Sequence, residues 1–218
     1  MKLIKNTLTT IAAILLMTNF SIAQQSMSDS RSELQIGAKI GTNYSNVYDI
    51  EGEDFTADFK FGLVGGVFAD IPIGKYLGLH PEILFSQRGY MGSGSILGSA
   101  YEYSNTKNYI DVPLLVAIKP AGVFTLLVGP QFAFLLKEKY EFKNDLVNID
   151  EEQVFENENI RKNTLCFVGG FDINLSPIVL GARVGWDLQN NNGDGTSTTP
   201  RYKNMWYQAT LGFMFSLQ

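Results

Sequence analysis

His80 and Glu82 stand two residues apart and form the pair in this sequence best suited to general acid–base chemistry. An imidazole beside a carboxylate can accept and return a proton near neutral pH. His80 is the only histidine of the 218-residue chain, and the only cysteine, Cys166, lies far along the sequence. No serine or cysteine nucleophile can be placed beside the pair, so we predict that the protein is not an enzyme and that His80 is a satisfied interior side chain.

The stretch NNNGDG at 190–195 resembles the beginning of a calcium-binding loop, because side-chain oxygens occupy its first, third and fifth positions. The twelfth position of such a loop needs a bidentate glutamate, but here it is Arg201, and no helix is predicted on either side. The sequence therefore predicts an Asn/Gly turn, with no metal site and no cofactor.

The elements that carry these side chains are strands. VFTLLVGPQFAFLLK at 123–137 is too short for a membrane helix and contains Pro130, but its large apolar residues alternate with smaller and polar ones. The same period of two residues recurs along the chain, which gives eight predicted strands: 34–45, 58–70, 77–90, 108–119, 123–137, 164–175, 178–189 and 204–217.

The connections between these strands alternate in length. The short ones lie at about 71–76, 120–122 and 176–177, and the long polar ones at about 46–57, 91–107, 138–163 and 190–203. This alternation predicts an antiparallel up-and-down meander with all long connections at one end and both termini at the other.

The two faces of the strands indicate which side meets lipid. Side chains only just fill the lumen of an eight-stranded barrel, and the apolar face carries more large residues than that space can hold. The opposite face is rich in glycine and charge, which suits a narrow interior. We therefore predict an all-β fold, an eight-stranded antiparallel up-and-down transmembrane β-barrel with the apolar face outward. Pro113 and Pro130, in mid-strand, predict bulges or local breaks.

Charged side chains on the inward face must be paired in so tight a space. We predict a lumen charge cluster that consists of Lys39, Glu82, Arg88, Asp111, Arg183 and Asp187. Lys60, Lys119 and Asp172 are assigned to the same face, with Asp58, Asp70 and Lys137 near strand ends. Two interpretations stay open: a salt-bridged plug, or a polar path for a solute.

The N-terminus reads as a secretory signal peptide at 1–23, with Lys2 and Lys5 before an apolar run and a small-x-small site that ends at Ala23. A membrane anchor is the alternative. A short flexible segment is predicted at 24–33, and the barrel at 34–218. Cleavage would remove two of the 17 basic residues and none of the 22 acidic ones. So acidic a chain is not expected to bind nucleic acid.

Four segments resemble a known family: PEILFSQRGY, YIDVPLLVAI, LGARVGWDL and the terminal GFMFSL. They are similar to segments of the PorT-like outer-membrane β-barrel family of Bacteroidetes, over about residues 34–218. The resemblance implies an eight-stranded outer-membrane barrel. PorT itself is linked to a protein-secretion apparatus, so the resemblance also suggests a role in secretion.

We therefore predict a barrel surrounded by outer-membrane lipid, with its termini in the periplasm and four external loops that contact protein partners. The acidic loop at 138–162 is a candidate partner-binding surface. A small-solute channel is the second hypothesis, and a lipid-modifying enzyme that uses His80 is the third.

Overall fold

The computed structural model describes residues 30–48, 57–96, 99–144, 148–153, 162–190 and 202–217. The predicted signal peptide, most of the segment 24–33 and nearly all of the calcium-loop-like stretch lie outside these residues. The described elements are a 3-10 turn at Ser30–Ser32 and strands β1 (Leu34–Tyr48), β2 (Asp58–Pro72), β3 (Leu77–Ile96), β4 (Ser99–Ala121), β5 (Phe124–Asn144), β6 (Asn148–Gln153), β7 (Asn163–Leu175), β8 (Ile178–Asp187) and β9 (Lys203–Leu217). None of the helices in these ranges has the length and apolar character needed to cross a membrane.

Eight of the strands close into a ring. Each pairs with its neighbours in antiparallel fashion, and β1 pairs with β9 from Leu34 opposite Leu217 to Tyr48 opposite Lys203. β5 pairs with both β4 and β7, whereas the short β6 extends the sheet beyond β5. The predicted eight-stranded antiparallel barrel is confirmed, and β6 is an additional strand outside the ring.

The two ends of the barrel differ. The turns at 73–76, 122–123 and 176–177 mark the short-turn end, where β1 begins and β9 ends. At the opposite, long-hairpin end, β3 and β4 remain paired up to Ile96 and Ser99. The segment 91–107 was predicted to be a loop, but its described residues, 91–96 and 99–107, are the two paired strands of a β-hairpin. Together with the end of β5 and with β6, this hairpin forms a four-stranded sheet that continues the barrel wall.

The wall separates an apolar outer face from a buried inner one. Ile40, Phe61 and Leu63 point outward and are 66%, 68% and 64% exposed. Alternate residues on the same strands are buried, for example Lys39 and Val64. Tyr44 stacks on Phe59 on the outer face, with ring centroids 4.5 Å apart, as in the aromatic girdles of membrane barrels. The predicted orientation of the two faces is therefore confirmed.

The prolines do not introduce bulges. Pairing between β4 and β5 passes from Pro113 opposite Gln131 to Val116 opposite Val128, so two pairs are skipped while the register stays the same. The prolines thus break the ladder locally, because they lack the N–H donor that pairing needs. The register shifts elsewhere: in β2 between Phe59 and Val64, in β5 at Leu136, and in β4 between Ile118 and Ala121.

The bulge at Leu136 changes which residues of β5 face the lumen. Asn108 pairs with Lys137, but Tyr109 pairs with Leu135, so Leu136 is the extra residue. Glu138 is consequently buried, and Lys137 is half-buried. The assignment of Lys137 to the inward face was wrong, because a strict period of two cannot anticipate one extra residue.

Candidate functional site

Glu82 lies at the centre of the first charge cluster in the lumen. Its Oε1 lies 2.6 Å from Lys39 Nζ, 3.1 Å from His80 Nε2 and 3.4 Å from Arg183 Nη2. Arg183 also donates to both carboxylate oxygens of Asp172, at 2.6 and 3.1 Å. We call these five residues, all buried, the Glu82 cluster. They come from β1, β3, β7 and β8, so the cluster bridges opposite sides of the wall.

Glycines on neighbouring strands leave room for these long side chains. A Cβ at Gly212 would lie 3.2 Å from Lys39 Cβ, and one at Gly181 would lie 2.7 Å from Asp172 Oδ1. Both contacts are tighter than ordinary Cβ packing allows. The glycine-rich inner face is therefore part of how the barrel accommodates its charges.

Arg88 forms the second cluster, nearer the long-hairpin end. Its guanidinium pairs with Asp111, and its Cζ lies 4.0 Å from the ring centroid of Trp206 and 4.4 Å from that of Tyr109. Stacking on an aromatic face suits the planar, weakly hydrated guanidinium. Gly185 makes space for the indole, because a Cβ there would lie 2.5 Å from Trp206 Cε2. We call Arg88, Asp111, Tyr109 and Trp206 the Arg88 cluster.

Asp187 contacts neutral groups. It accepts hydrogen bonds from the backbone N–H and the side-chain amide of Asn204, the first at 3.0 Å, and from Cys166 Sγ at 3.1 Å. In the part of the chain that the structure describes, no lysine or arginine lies within ion-pair distance of Asp187. The six residues predicted as one cluster thus lie in the Glu82 cluster, in the Arg88 cluster and at Asp187.

Two further ion pairs lie toward the ends of the lumen. Lys119 Nζ lies 2.7 Å from Asp70 Oδ1 near the short-turn end, and Lys107 Nζ lies 3.6 Å from Glu138 Oε1 near the long-hairpin end. Lys107 and Glu138 were not among the predicted lumen residues, because Lys107 was assigned to a loop and the bulge at Leu136 was not anticipated. The run Lys107, Tyr109, Asp111, with its spacing of two, is the signal that identifies Lys107.

The other candidate residues are His80 and Lys60. Within the Glu82 cluster, the imidazole of His80 also stacks on Phe68, with ring centroids 5.1 Å apart. Lys60, assigned to the inward face, is half-buried and donates to Ser104 Oγ at 2.5 Å. Within the described ranges, no three His, Cys, Asp or Glu side chains are grouped so that they could hold a metal ion.

The inward side chains fill the barrel across its middle. Arg88, Lys107 and Trp206 are each 1% exposed, although all three point into the lumen. Water therefore hardly reaches the side chains that cross this level. Chemically, the arrangement consists of buried ion pairs, stacked rings and one carboxylate, Asp187, that is held by neutral donors.

Comparison with known proteins agrees with this architecture. Residues 22–216 match the family model described as outer membrane protein beta-barrel domain. No curated protein matches the chain. Among solved structures, Ail of Yersinia pestis, in complex with the heparin analogue sucrose octasulfate, shares 14% identity at a TM-score of 0.50, over 84% of this chain and 99% of that one.

Two other barrels are also similar. Neisserial surface protein A shares 10% identity at a TM-score of 0.43, over 88% of this chain and all of that one (100%). OprG of Pseudomonas aeruginosa shares 11% identity at a TM-score of 0.36, over 85% and 97% of the two chains. The family match covers most of the chain, and the chain therefore belongs to the outer membrane protein beta-barrel domain family, as a small barrel of the cell outer membrane.

Proposed function

We propose that this protein is a non-conducting, non-enzymatic barrel that anchors a partner-binding surface in the outer membrane. The observation that carries the proposal is the closed lumen, in which the Glu82 cluster and the Arg88 cluster cross the interior with almost no exposed surface. Because the lumen is filled, the long hairpins are the part of the barrel that is available to bind a partner.

The channel hypothesis is disfavoured by the pairing of the lumen charges. An ion that crosses the barrel would have to displace Arg88 from between Trp206 and Tyr109 and separate it from Asp111. Breaking a buried ion pair is strongly unfavourable, because each partner then remains as an uncompensated charge. A static plug is the simpler function for such a network.

The enzyme hypothesis depends on His80. The described contacts of its imidazole are Glu82 and Phe68, and Glu82 is already engaged by Lys39 and Arg183. A general base needs an acceptor nitrogen within reach of a substrate, but His80 is 2% exposed in the lumen. This burial supports a structural role for His80.

The proposed orientation has the termini in the periplasm and the long hairpins outside the cell. Both ends of the barrel sequence lie at the short-turn end, and bacterial outer-membrane barrels have short periplasmic turns and longer external loops. The β3–β4 hairpin and the β5–β6 hairpin would then extend the wall into the external medium. We propose these two hairpins as the partner-binding surface.

Two further considerations support a surface of this kind. Ail, which shares the fold, was solved with a sulfated sugar analogue bound, so a small barrel can present a ligand site. The resemblance to PorT-like proteins suggests that a partner of the present barrel belongs to a protein-secretion apparatus. The partner itself is expected to be a protein of the outer membrane or of the cell surface.

The test is crosslinking of intact cells with a membrane-impermeant reagent, followed by purification of the tagged barrel. The variant for comparison replaces 141–150, the end of β5 and the beginning of β6 with the residues between them, with a two-residue Asn-Gly turn that suits a hairpin. The control variant has an insertion at Gly122, in a short turn. The insertion has as many residues as the shortened variant loses. The proposal expects a crosslinked partner with the wild type and the control, and loss of that partner in the shortened variant. Equal crosslinking by all three proteins would contradict it.

A further inference from the structure

The lipid-facing wall of β1, β2 and β3 contains a groove with a volume of about 640 Å³. This volume lies within the range of about 300 to 1,000 Å³ that is typical of ligand sites. All the residues that line the groove are apolar except Glu82, whose carboxylate is engaged on the lumen side of the wall. We call it the β1–β3 groove, and its principal lining residues are Ile36, Ala38, Val67, Ala69, Pro81 and Ile83.

Small side chains on the outer face create this groove. Ala69 on β2 and Pro81 on β3 are half-buried, and they lie between two pairs of large outward side chains. Those pairs are Val67 with Ile83 and Ile71 with Leu79. The four large side chains are between 41% and 58% exposed, so the row that contains Ala69 and Pro81 is lower than the rows on either side. The groove is therefore built into the sequence of the two strands.

The groove lies toward the short-turn end of the barrel. Pro81 is four residues from Leu77, where β3 begins, and this separation corresponds to about 13 Å along a strand. The hydrocarbon core of a bilayer is about 30 Å thick. The groove consequently opens to the half of the membrane that borders the short turns.

Two basic side chains flank a tyrosine at the same end, in and beside the turn that joins β2 to β3. Arg31 Cζ lies 5.3 Å from the ring centroid of Tyr76, and Lys75 Nζ lies 6.0 Å from it. The backbone N–H of Lys119 donates to the carbonyl of Tyr76 at 2.9 Å, and Lys119 Nζ donates to the carbonyl of Arg31 at 3.2 Å. These hydrogen bonds hold both basic residues just beyond the strands that form the groove.

The described charges at the short-turn end have a positive excess. They comprise three cations, Arg31, Lys75 and Lys119, and two carboxylates, Glu33 and Asp70. Lys119 Nζ lies 2.7 Å from Asp70 Oδ1, so this pair is neutral. Basic and aromatic side chains at a membrane interface lie at the level of the lipid headgroups, and guanidinium groups bind phosphate through paired hydrogen bonds.

We propose that the β1–β3 groove and the two cations together bind an anionic glycerophospholipid. One acyl chain would lie in the groove, and the phosphate would contact Arg31 and Lys75. An apolar groove at hydrocarbon depth and a basic pair at headgroup depth, on the same two strands, match the two parts of one such molecule. The inference rests on the proposed orientation, because the periplasmic leaflet is the one that supplies phospholipid.

Other occupants fit these observations less well. A two-fold dimer would bring the same patch of both barrels together, and two facing grooves would leave a space between them. Lipopolysaccharide belongs to the external leaflet, whereas the groove and the basic pair both lie at the short-turn end. The phospholipid is therefore the occupant that depth and charge select.

The experiment is native mass spectrometry of the purified folded barrel in a neutral detergent. The probes are phosphatidylglycerol, phosphatidylethanolamine and lipid A, each titrated separately. Ala69→Leu and Ala38→Leu fill the groove with apolar volume, and each keeps the outer face apolar. A double variant, Arg31→Gln with Lys75→Gln, removes the basic pair. Heat-modifiable migration in gels shows that each variant is folded before titration.

Two control variants match these changes elsewhere on the barrel. Ala209→Leu adds the same volume at an exposed position of β9 that does not line the groove. Lys143→Gln removes an exposed lysine at the long-hairpin end. Both controls should bind phosphatidylglycerol as the wild type does.

We expect the wild type to bind phosphatidylglycerol more tightly than phosphatidylethanolamine or lipid A. Ala69→Leu should weaken the binding of phosphatidylglycerol by about tenfold, which corresponds to about 1.4 kcal/mol. The double variant should bind the anionic and the zwitterionic phospholipid equally. If Ala69→Leu does not fold, Ala38→Leu provides the same comparison.

Four results would overturn the proposal. They are the absence of bound phospholipid, equal affinity of Ala69→Leu and Ala209→Leu, tighter binding of lipid A, and a lipid-free dimer in the same spectra that Ala69→Leu abolishes. None of these measurements depends on a crosslinked partner or an ion current. A barrel that captures a partner but binds no phospholipid would contradict this inference alone, whereas one that binds phospholipid but captures no partner would contradict only the proposed function.

Discussion

Glu82 Oε1 lies 2.6 Å from Lys39 Nζ, and it is the only carboxylate within 4 Å of that ammonium group among the residues that the structure describes. Arg183, the second cation at Glu82, also has Asp172, which it contacts through both carboxylate oxygens. The two cations therefore depend on Glu82 to different degrees. Loss of Glu82 leaves Lys39 without a counter-charge and Arg183 with one.

The first prediction concerns this difference. Glu82→Gln should lower the free energy of unfolding by about 3 to 5 kcal/mol, because it leaves a buried, uncompensated lysine. In a double-mutant cycle, Lys39→Met should recover much of that loss, whereas Arg183→Gln should recover less. Unfolding by urea in lipid vesicles, followed by tryptophan fluorescence, measures the wild type, the three single variants and the two double variants. Additive losses for Glu82→Gln and Lys39→Met would show that the two side chains do not interact.

The second prediction concerns depth in the membrane. Ile40 and Ile73 are equally exposed, at 66% and 69%, but Ile40 lies in mid-strand and Ile73 in a short turn. Arginine on the lipid face costs about 2 to 4 kcal/mol at the midplane and about 0 to 1 kcal/mol near the interfaces. Ile40→Arg should therefore be much the more destabilising change in the same unfolding assay. Similar losses at the two positions would show that the apolar outer face is not immersed in lipid.

The third prediction concerns two adjacent glycines of β7. A Cβ at Gly170 would lie 2.8 Å from the backbone Cα of Arg183, whereas a Cβ at Gly169 would meet nothing within 4 Å. Gly170→Ala should cost about 1 to 3 kcal/mol through overpacking. Gly169→Ala should stabilise the barrel by up to about 1 kcal/mol, because it restricts the unfolded chain. Thermal unfolding of the two variants in detergent tests this contrast. If Gly169→Ala were also destabilised, the close approach of the neighbouring backbone would not explain the loss of stability in Gly170→Ala.

The fourth prediction concerns orientation. A protease site inserted at 145–147, between β5 and β6, should be cut on intact cells, because this hairpin lies at the proposed external end. The same site inserted after Gly122 should be cut only when the periplasm is opened. The fragments are detected with a C-terminal tag. Cleavage at Gly122 alone in intact cells would reverse the assigned orientation.

The strands of the barrel wall could be predicted because lipid and lumen impose opposite demands on alternate residues. At Leu126 and Leu127 both side chains are apolar, yet the first is 41% exposed and the second is 1% exposed, so the assignment depends on the whole strand and not on single residues. Beyond the membrane both faces of the sheet meet water. The alternation then disappears, and the β3–β4 hairpin could not be distinguished from a loop.

The site could be predicted in part. The alternation of the strands assigned Lys39, Glu82 and Arg183 to one lumen charge cluster, and all three lie in the Glu82 cluster. The Arg88 cluster depends on stacking with Trp206, a residue more than a hundred positions away, and the sequence carries no signal of that contact. Asp187 is satisfied by Asn204 through the closure of β8 on β9, which a charge-pairing argument cannot anticipate.

A closed lumen passes no ions, so the decisive measurement is the ion current through the purified barrel in planar lipid bilayers. The positive control is Arg88→Ala combined with Trp206→Ala, which removes the stacked pair from the middle of the lumen and should produce a measurable current. We expect the folded wild-type barrel to give no steady current under conditions in which this double variant conducts. A stable open current from the wild-type barrel would contradict it.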